Sequence, residues 1–270
     1  MTSTETAGPA GEHSRPTRID DHDRPPAARE ETAEQAMEQA AERTETAPEY
    51  VLPLVVRLER DAPPARTDAL ETAARAVLVL LSDERSAGAG EWAPVVHAWQ
   101  DSRIRKVVRR ARGAEWRRAA ALPGITVTGR AAEVRVFPPV PLDGWPKELA
   151  RLQVSGTELD DPGAPAEPAD GVPVLWLSPA LEMSAGKAMA QAGHGAQLAW
   201  WGLSAAERES WRAAGFPLAV RTAEPAAWAA LTTGGLPVVR DAGFTEIPSG
   251  SCTVVADHPA LPGSSLPAAR

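Results

Sequence analysis

From Tyr50 onward, short apolar runs of strand length alternate with longer stretches in which apolar positions recur every three to four residues, the mark of a mixed α/β chain. The first pass predicts a strand at 51–58, helices at 67–82 and 91–100, a strand at 106–109, a helix at 114–121, and strands at 125–127 and 133–137. The order then returns: a strand at 172–177, helices at 184–201 and 204–213, a strand at 217–221, a helix at 225–231, and strands at 236–240 and 251–256. The expected fold class is therefore α/β, with two tandem βααβαββ units. Sequence register supports the repetition. ARAVLVLL from Ala74 lies over GHGAQLAWW from Gly193 at a spacing of 119, and VVRRARGAEW from Val107 lies over AVRTAEPAAW from Ala219 at 112. The second overlay superposes Val108 on Val220, Arg109 on Arg221 and Trp116 on Trp228. Chance identity in an Ala-rich chain is the competing explanation.

Outside the two units the pattern dissolves. Residues 1–46 carry no sustained apolar face and are expected to be a disordered acidic tail. GTELDDPGAPAEPADG, residues 156–171, reads as a Pro-rich acidic linker between a first domain at 47–155 and a second at 172–260, with a flexible tail at 261–270. Composition agrees with a globular protein, 43% hydrophobic and 24% charged. The longest strongly apolar run, 76–81, is far short of the roughly 20 residues a bilayer crossing needs, and the N-terminus lacks an apolar signal core. No membrane partner and a cytoplasmic location are expected. The single Cys252 excludes a disulfide scaffold or a thiolate zinc site.

Net charge changes the picture only when divided along the chain. Residues 1–46 hold 5 basic and 11 acidic side chains, 47–156 hold 17 and 13, and 157–270 hold 6 and 12. A total of -8 thus conceals a basic middle. Within it, SRIRKVVRRARGAEWRR at 102–118 has eight basic residues against one acidic one. Arg103, Arg105, Lys106, Arg109, Arg110 and Arg112 are candidate contacts to nucleic-acid phosphates, with a solvated face as the plainer alternative. Trp116 is expected in the core rather than as a base platform.

Two motifs carry candidate chemistry. In MSAGKAMAQAGHG, residues 183–195, Lys187, Gln191 and His194 form one stripe of a helix, and Gly186 allows close backbone approach. RDAGFTEIPSGSCTV, residues 240–254, places Asp241, Thr245, Gly250 and Thr253 in a connection longer than a hairpin requires.

Together these motifs resemble the type 2 peptidyl-tRNA hydrolase family. Its helix pattern K-M-x-x-G-K-x-x-A-Q-x-x-H is met by Met183, Gly186, Lys187, Ala190, Gln191 and His194. Its loop pattern D-A-G-x-T-Q/E-I-x-x-G-S/T-x-T is met by Asp241, Ala242, Gly243, Thr245, Glu246, Ile247, Gly250, Ser251 and Thr253. The resemblance covers about 172–259 and implies a four-stranded mixed sheet flanked by helices in each unit. It also implies a carboxylic ester hydrolase that frees tRNA from stalled or dropped-off peptidyl-tRNA without a cofactor or metal. Glu182 stands where the family has its first lysine, and the 175–179 strand end lacks the usual arginine. The first unit keeps Arg57 but has Asp68, Thr72 and Arg75 in place of the lysine, glutamine and histidine, so only the second unit is expected to be catalytic.

The roles implied follow the chemistry of ester hydrolysis: Asp241 holds or deprotonates the water, Lys187 stabilises an oxyanion or nearby phosphate, and Thr245 and Thr253 place hydrogen bonds. Gln191, His194, Gly186 and Gly250 support the site, with His194 read as orienting rather than acting as base. Cys252 has no evident base beside it and is not read as a nucleophile. The family is typically dimeric, so a monomer in which the two units form an intrachain pseudo-dimer is expected. A non-enzymatic tRNA- or protein-binding adaptor with a decayed site is the alternative.

Overall fold

The computed structural model describes residues 48–243, 247–264 and 266. The acidic tail expected at 1–46 lies outside the described residues.

The first half begins with β1 (Tyr50–Arg57), followed by α1 (Arg66–Ser82), a 3-10 turn (Glu84–Ser86), α2 (Ala93–Gln100), β2 (Lys106–Ala111), α3 (Gly113–Ala120), β3 (Ile125–Thr128) and β4 (Glu133–Val136). Two short elements, β5 (Val140–Pro141) and α4 (Lys147–Ala150), were not foreseen from the pattern, because each is shorter than the window over which periodicity is legible. The second half is β6 (Val174–Leu177), α5 (Ala185–Gly202), α6 (Ala205–Ala213), β7 (Ala219–Thr222), α7 (Pro225–Thr233), β8 (Val238–Arg240) and β9 (Cys252–Asp257).

The two sheets have one topology. Their orders are β2-β1-β4-β3 and β7-β6-β9-β8. In each, the first strand runs parallel to the one after the helix pair and antiparallel to the last, the mixed arrangement that a βααβαββ order produces. β1 sits centrally and is buried along its middle, which is why its sequence is a continuous apolar run rather than an alternation. Its Pro53 has no N–H to give. It falls where β1 exchanges one antiparallel neighbour for another, after Val51 pairs with Val140 of β5 and before Leu54 pairs with Val136 of β4.

The likeness extends to local detail. Trp99 at the end of α2 donates its indole N–H to the Arg105 carbonyl at 2.8 Å, and Trp211 in α6 donates to the Pro217 carbonyl at 2.9 Å. Ile104 and Phe216, each just before the acceptor, are the two non-glycine residues with positive φ among those described, at 45° and 56°. A left-handed backbone at a bulky side chain is unfavourable, so its presence at matched positions reflects one constraint imposed twice.

The long helices α1 and α5 pack against each other between the two sheets, and each also reaches the other half: α5 lies against β2 and α1 against β7. One apolar core runs through both halves, including Leu54, Val77 and Val134 with Leu175, Met189 and Val254. The outer face of the first sheet has its own cluster, where Val55, Trp116 and Phe137 meet Leu149 and Leu152 beneath α3 and α4. The segment expected as a linker packs against both halves: Asp161 accepts from the Thr67 N–H (2.9 Å) and hydroxyl (2.7 Å) of the first, and the Ala166 carbonyl accepts from Arg221 of the second. No described helix is long and apolar enough to cross a membrane.

Candidate functional site

α5 opens with Ser184, whose Oγ accepts from the Lys187 N–H at 3.3 Å, and this cap starts the helix two residues before the first site glycine. The stripe predicted from spacing then faces the β8–β9 connection. Lys187 Nζ meets Asp241 Oδ2 at 2.5 Å, and Gln191 Nε2 donates to the same oxygen at 2.8 Å. Thr253 Oγ1 in β9 donates to Gln191 Oε1 at 2.6 Å, fixing which end of the amide faces the carboxylate. Asp241 Oδ1 accepts from the Gly243 N–H at 2.8 Å. The backbone of Asp241 is fixed as well, through Ser251 O (2.9 Å) and the Gly250 N–H (2.7 Å). Gly250 has φ 85°, a conformation that glycine adopts at no steric cost.

Burial gives this network its weight. Asp241 is 6% exposed, Gln191 5% and Thr253 fully covered, while the Lys187 side chain keeps 13% of its surface. A carboxylate has roughly four lone-pair directions, of which Lys187, Gln191 and Gly243 take three.

The network forms one wall of a cleft of about 570 Å³ between the halves. The second half contributes Lys187, Gln191, His194 and Asp241, and the first contributes Arg103, Ile104, Arg105 and Lys106 from the entry to β2. Val154 stands at the rim, 53% exposed. Burial pushes the His194 imidazole well below the ordinary histidine range, and the ammonium groups of Lys106 and Lys187 push it further, so it is neutral in the fold.

The candidate residues therefore divide. Lys187, Gln191, Asp241 and Thr253 are brought into contact, with Gly186, His194 and Gly250 around them. Thr245 lies outside the described residues. Glu182 is exposed before the helix.

The basic island is not one surface, contrary to the expectation from charge. Arg103 and Arg105 reach the cleft, Arg105 also lying 3.6 Å from Glu49. Lys106 is only 6% exposed: its Nζ donates to Gln197 Oε1 at 2.5 Å and stands over the Trp99 ring, and burial holds its pKa well below the ordinary lysine value. Arg109 and Arg110 hydrogen-bond to residues 150–155, and Arg112 is half-buried beside Gly113. Charge counting treats every cation as available. It has no signal for backbone carbonyls that arrive from a distant segment, nor for Gln197, the partner of Lys106 that sequence reasoning missed.

Among the described residues no cluster of three or more His, Cys, Asp or Glu is arranged to hold a metal. Cys252 Sγ accepts from Arg240 at 3.1 Å on the outer side of β9. No curated protein matches the chain closely enough to count as a relative. Residues 173–263 match the family described as peptidyl-tRNA hydrolase PTH2, the same span that holds the Lys187–Asp241 network.

Proposed function

We propose that the second half hydrolyses the ester between a peptide and the 3' ribose of tRNA, with the first half completing its cleft. The observation that carries this reading is the buried network Lys187–Asp241–Gln191–Thr253 opening into the cleft between the halves. Water held on the remaining lone pair of Asp241 adds to the ester carbonyl. The Lys187 ammonium faces the oxygen on which negative charge develops, the kind of stabilisation worth about 3 kcal/mol per donor in a preorganised site. The carbon–oxygen bond to ribose then breaks; one proton of the water passes through Asp241 to the ribose oxygen and the other leaves to solvent, so the peptide departs as a carboxylate and the tRNA as a hydroxyl. Gln191 and Thr253 do no chemistry here. They hold Asp241 in the rotamer that meets Lys187.

The cleft divides by polarity in a way that suits this substrate. Ile104, Val154, Leu198 and Val238 offer apolar contact to a peptide side chain, and Arg103 and Arg105 supply charge for phosphates near the 3' end. The first half we read as a degenerate copy of the second, supported by the shared topology and by the paired Trp99/Trp211 and Ile104/Phe216 positions. The packing of α1 on α5 then serves as an intrachain pseudo-dimer contact, and the protein is a monomer in the cytoplasm.

The test is release of labelled peptide from peptidyl-tRNA by the purified full-length chain. Catalytic turnover supports the hydrolase. Binding of tRNA without release would establish the adaptor reading instead, in which the missing positive charge at Glu182 marks a decayed site.

A further inference from the structure

After α4 the chain runs along the open edge of β2 and is held there by two neighbouring arginines. The Arg110 N–H donates to the Gln153 carbonyl at 2.9 Å, its Nε to the Ser155 carbonyl at 2.8 Å, and its Nη2 to the Gln153 side chain. Arg109 Nη1 reaches the carbonyls of Ala150 (3.2 Å) and Leu152 (2.5 Å), with its guanidinium over the Trp145 ring. Residues 150–157 are thus a strap tied to the first half. Its far end is Thr157, 1% exposed, whose Oγ1 accepts from the Gly186 N–H at 3.0 Å.

Gly186 is the second residue of α5 and stands immediately before Lys187. A Cβ there would lie 2.8 Å from the Thr157 hydroxyl, so the glycine is what admits the strap to the helix. The first amides of a helix lack partners within it. In α5 two of them are met by hydroxyls, the Lys187 N–H by Ser184 within the same segment and the Gly186 N–H by Thr157 from the strap. Both bonds bear on the turn that aims Lys187 at Asp241.

Resting on the reading above, we propose that Thr157 is a positioning residue for the hydrolase site: the strap tied by Arg109 and Arg110 fixes the first turn of α5 and so sets the place of Lys187 Nζ. Thr157 does not line the cleft itself, and its effect must pass through Lys187.

The experiment compares Thr157→Val, which keeps the shape and removes the acceptor, with Thr157→Ser, which keeps the acceptor, in the full-length chain. Thr157→Val should lower kcat on peptidyl-tRNA about tenfold with KM within about twofold, and Thr157→Ser should restore the rate. Combined with Lys187→Ala, Thr157→Val should add no further loss, since both changes act at one group. Amide exchange over residues 184–190 is read in parallel, and it should speed up in Thr157→Val and not in Thr157→Ser. Arg110→Gln, which loosens the strap from the other end, should move both readouts the same way. Unchanged exchange in Thr157→Val, or a Thr157→Ser variant as slow as Thr157→Val, overturns the proposal. Absence of peptide release by the unaltered chain counts against the hydrolase instead, while the exchange measurement still decides whether the strap orders the helix.

Discussion

The first turns of α1 and α5 occupy the same place in their respective halves and do opposite things with charge. In α1 the residue matched to Lys187 is Asp68, 3% exposed, and its carboxylate accepts from the N–H groups of Arg130 (2.9 Å), Ala131 (2.7 Å) and Ala132 (2.8 Å) in the β3–β4 turn. Burial pushes the Asp68 pKa up, but the three amides outweigh it and hold the group below its usual value. In α5 the helix supplies the ammonium and the β8–β9 loop supplies the carboxylate. The loop lengths make this inversion work. Val127 pairs with Val134 in the first hairpin and Val239 with Val254 in the second, so the second encloses eight more residues. A tight turn presents only backbone amides, for which a carboxylate is the fitting partner. A longer loop can present a side chain of its own, and the helix must then carry a donor. The scaffold is indifferent to this choice, so a shared fold is no evidence that the first half shares the chemistry.

Three experiments sharpen or break the contrast. The largest effect is expected for Lys187→Ala and Asp241→Asn, each lowering single-turnover peptide release by about a hundredfold or more. Rates within about threefold of the unaltered protein, with circular dichroism unchanged, would remove the distinction between the two helix starts. Asp68→Ala should instead act on stability. It removes the partner of three turn amides, of which that of Ala132 is buried, and should cost about 2 kcal/mol in urea unfolding, with turnover per folded molecule preserved. A loss of turnover without a loss of stability would make the first half a participant in the chemistry.

The smallest effect is in pH dependence. His194, matched by an arginine in the first half, has its pKa lowered by burial and by two ammonium groups. Because the folded pKa lies below the unfolded one, the stabilising contribution is complete above pH of about 6.5 and declines as pH falls, by at most about 1.4 kcal/mol per pH unit. His194→Gln should flatten the stability curve between about pH 7 and 5, leaving a residual slope from His258, whose pKa burial also lowers. An unaltered slope would mean that the imidazole is not held neutral.

What was legible in the sequence was whatever depends on local period or fixed spacing. The order βααβαββ is a matter of apolar recurrence, and the offsets of 119 and 112 superposed Asp68 on Lys187 and Trp116 on Trp228 without coordinates. Contact among Lys187, Gln191 and Asp241 follows from a helix stripe and a loop that faces it. The strap was not legible. Its hydrogen bonds run from the Arg109 and Arg110 guanidinium groups to carbonyls some forty positions away, and a carbonyl is present at every residue whatever its side chain. The same blindness made Lys106 look like part of a surface, since the residue that accepts its hydrogen bond, Gln197, lies in the other half.

That buried lysine shows what joining both halves in one polypeptide permits. Two identical subunits related by a rotation must repeat every interface residue on both flanks, so a lysine buried on one side would be buried on the other. Here the positions matched to Lys106 and Gln197 are Leu218 and Leu78, both within the apolar core. Each flank is encoded separately and can drift by itself. Lys106 lines the cleft that holds the Lys187–Asp241 pair, whereas Leu218 lines a separate pocket beside Asp68 and Arg221. The two faces can therefore be selected for different properties, one for chemistry and one for cohesion, a freedom that a gene encoding a single half would not have.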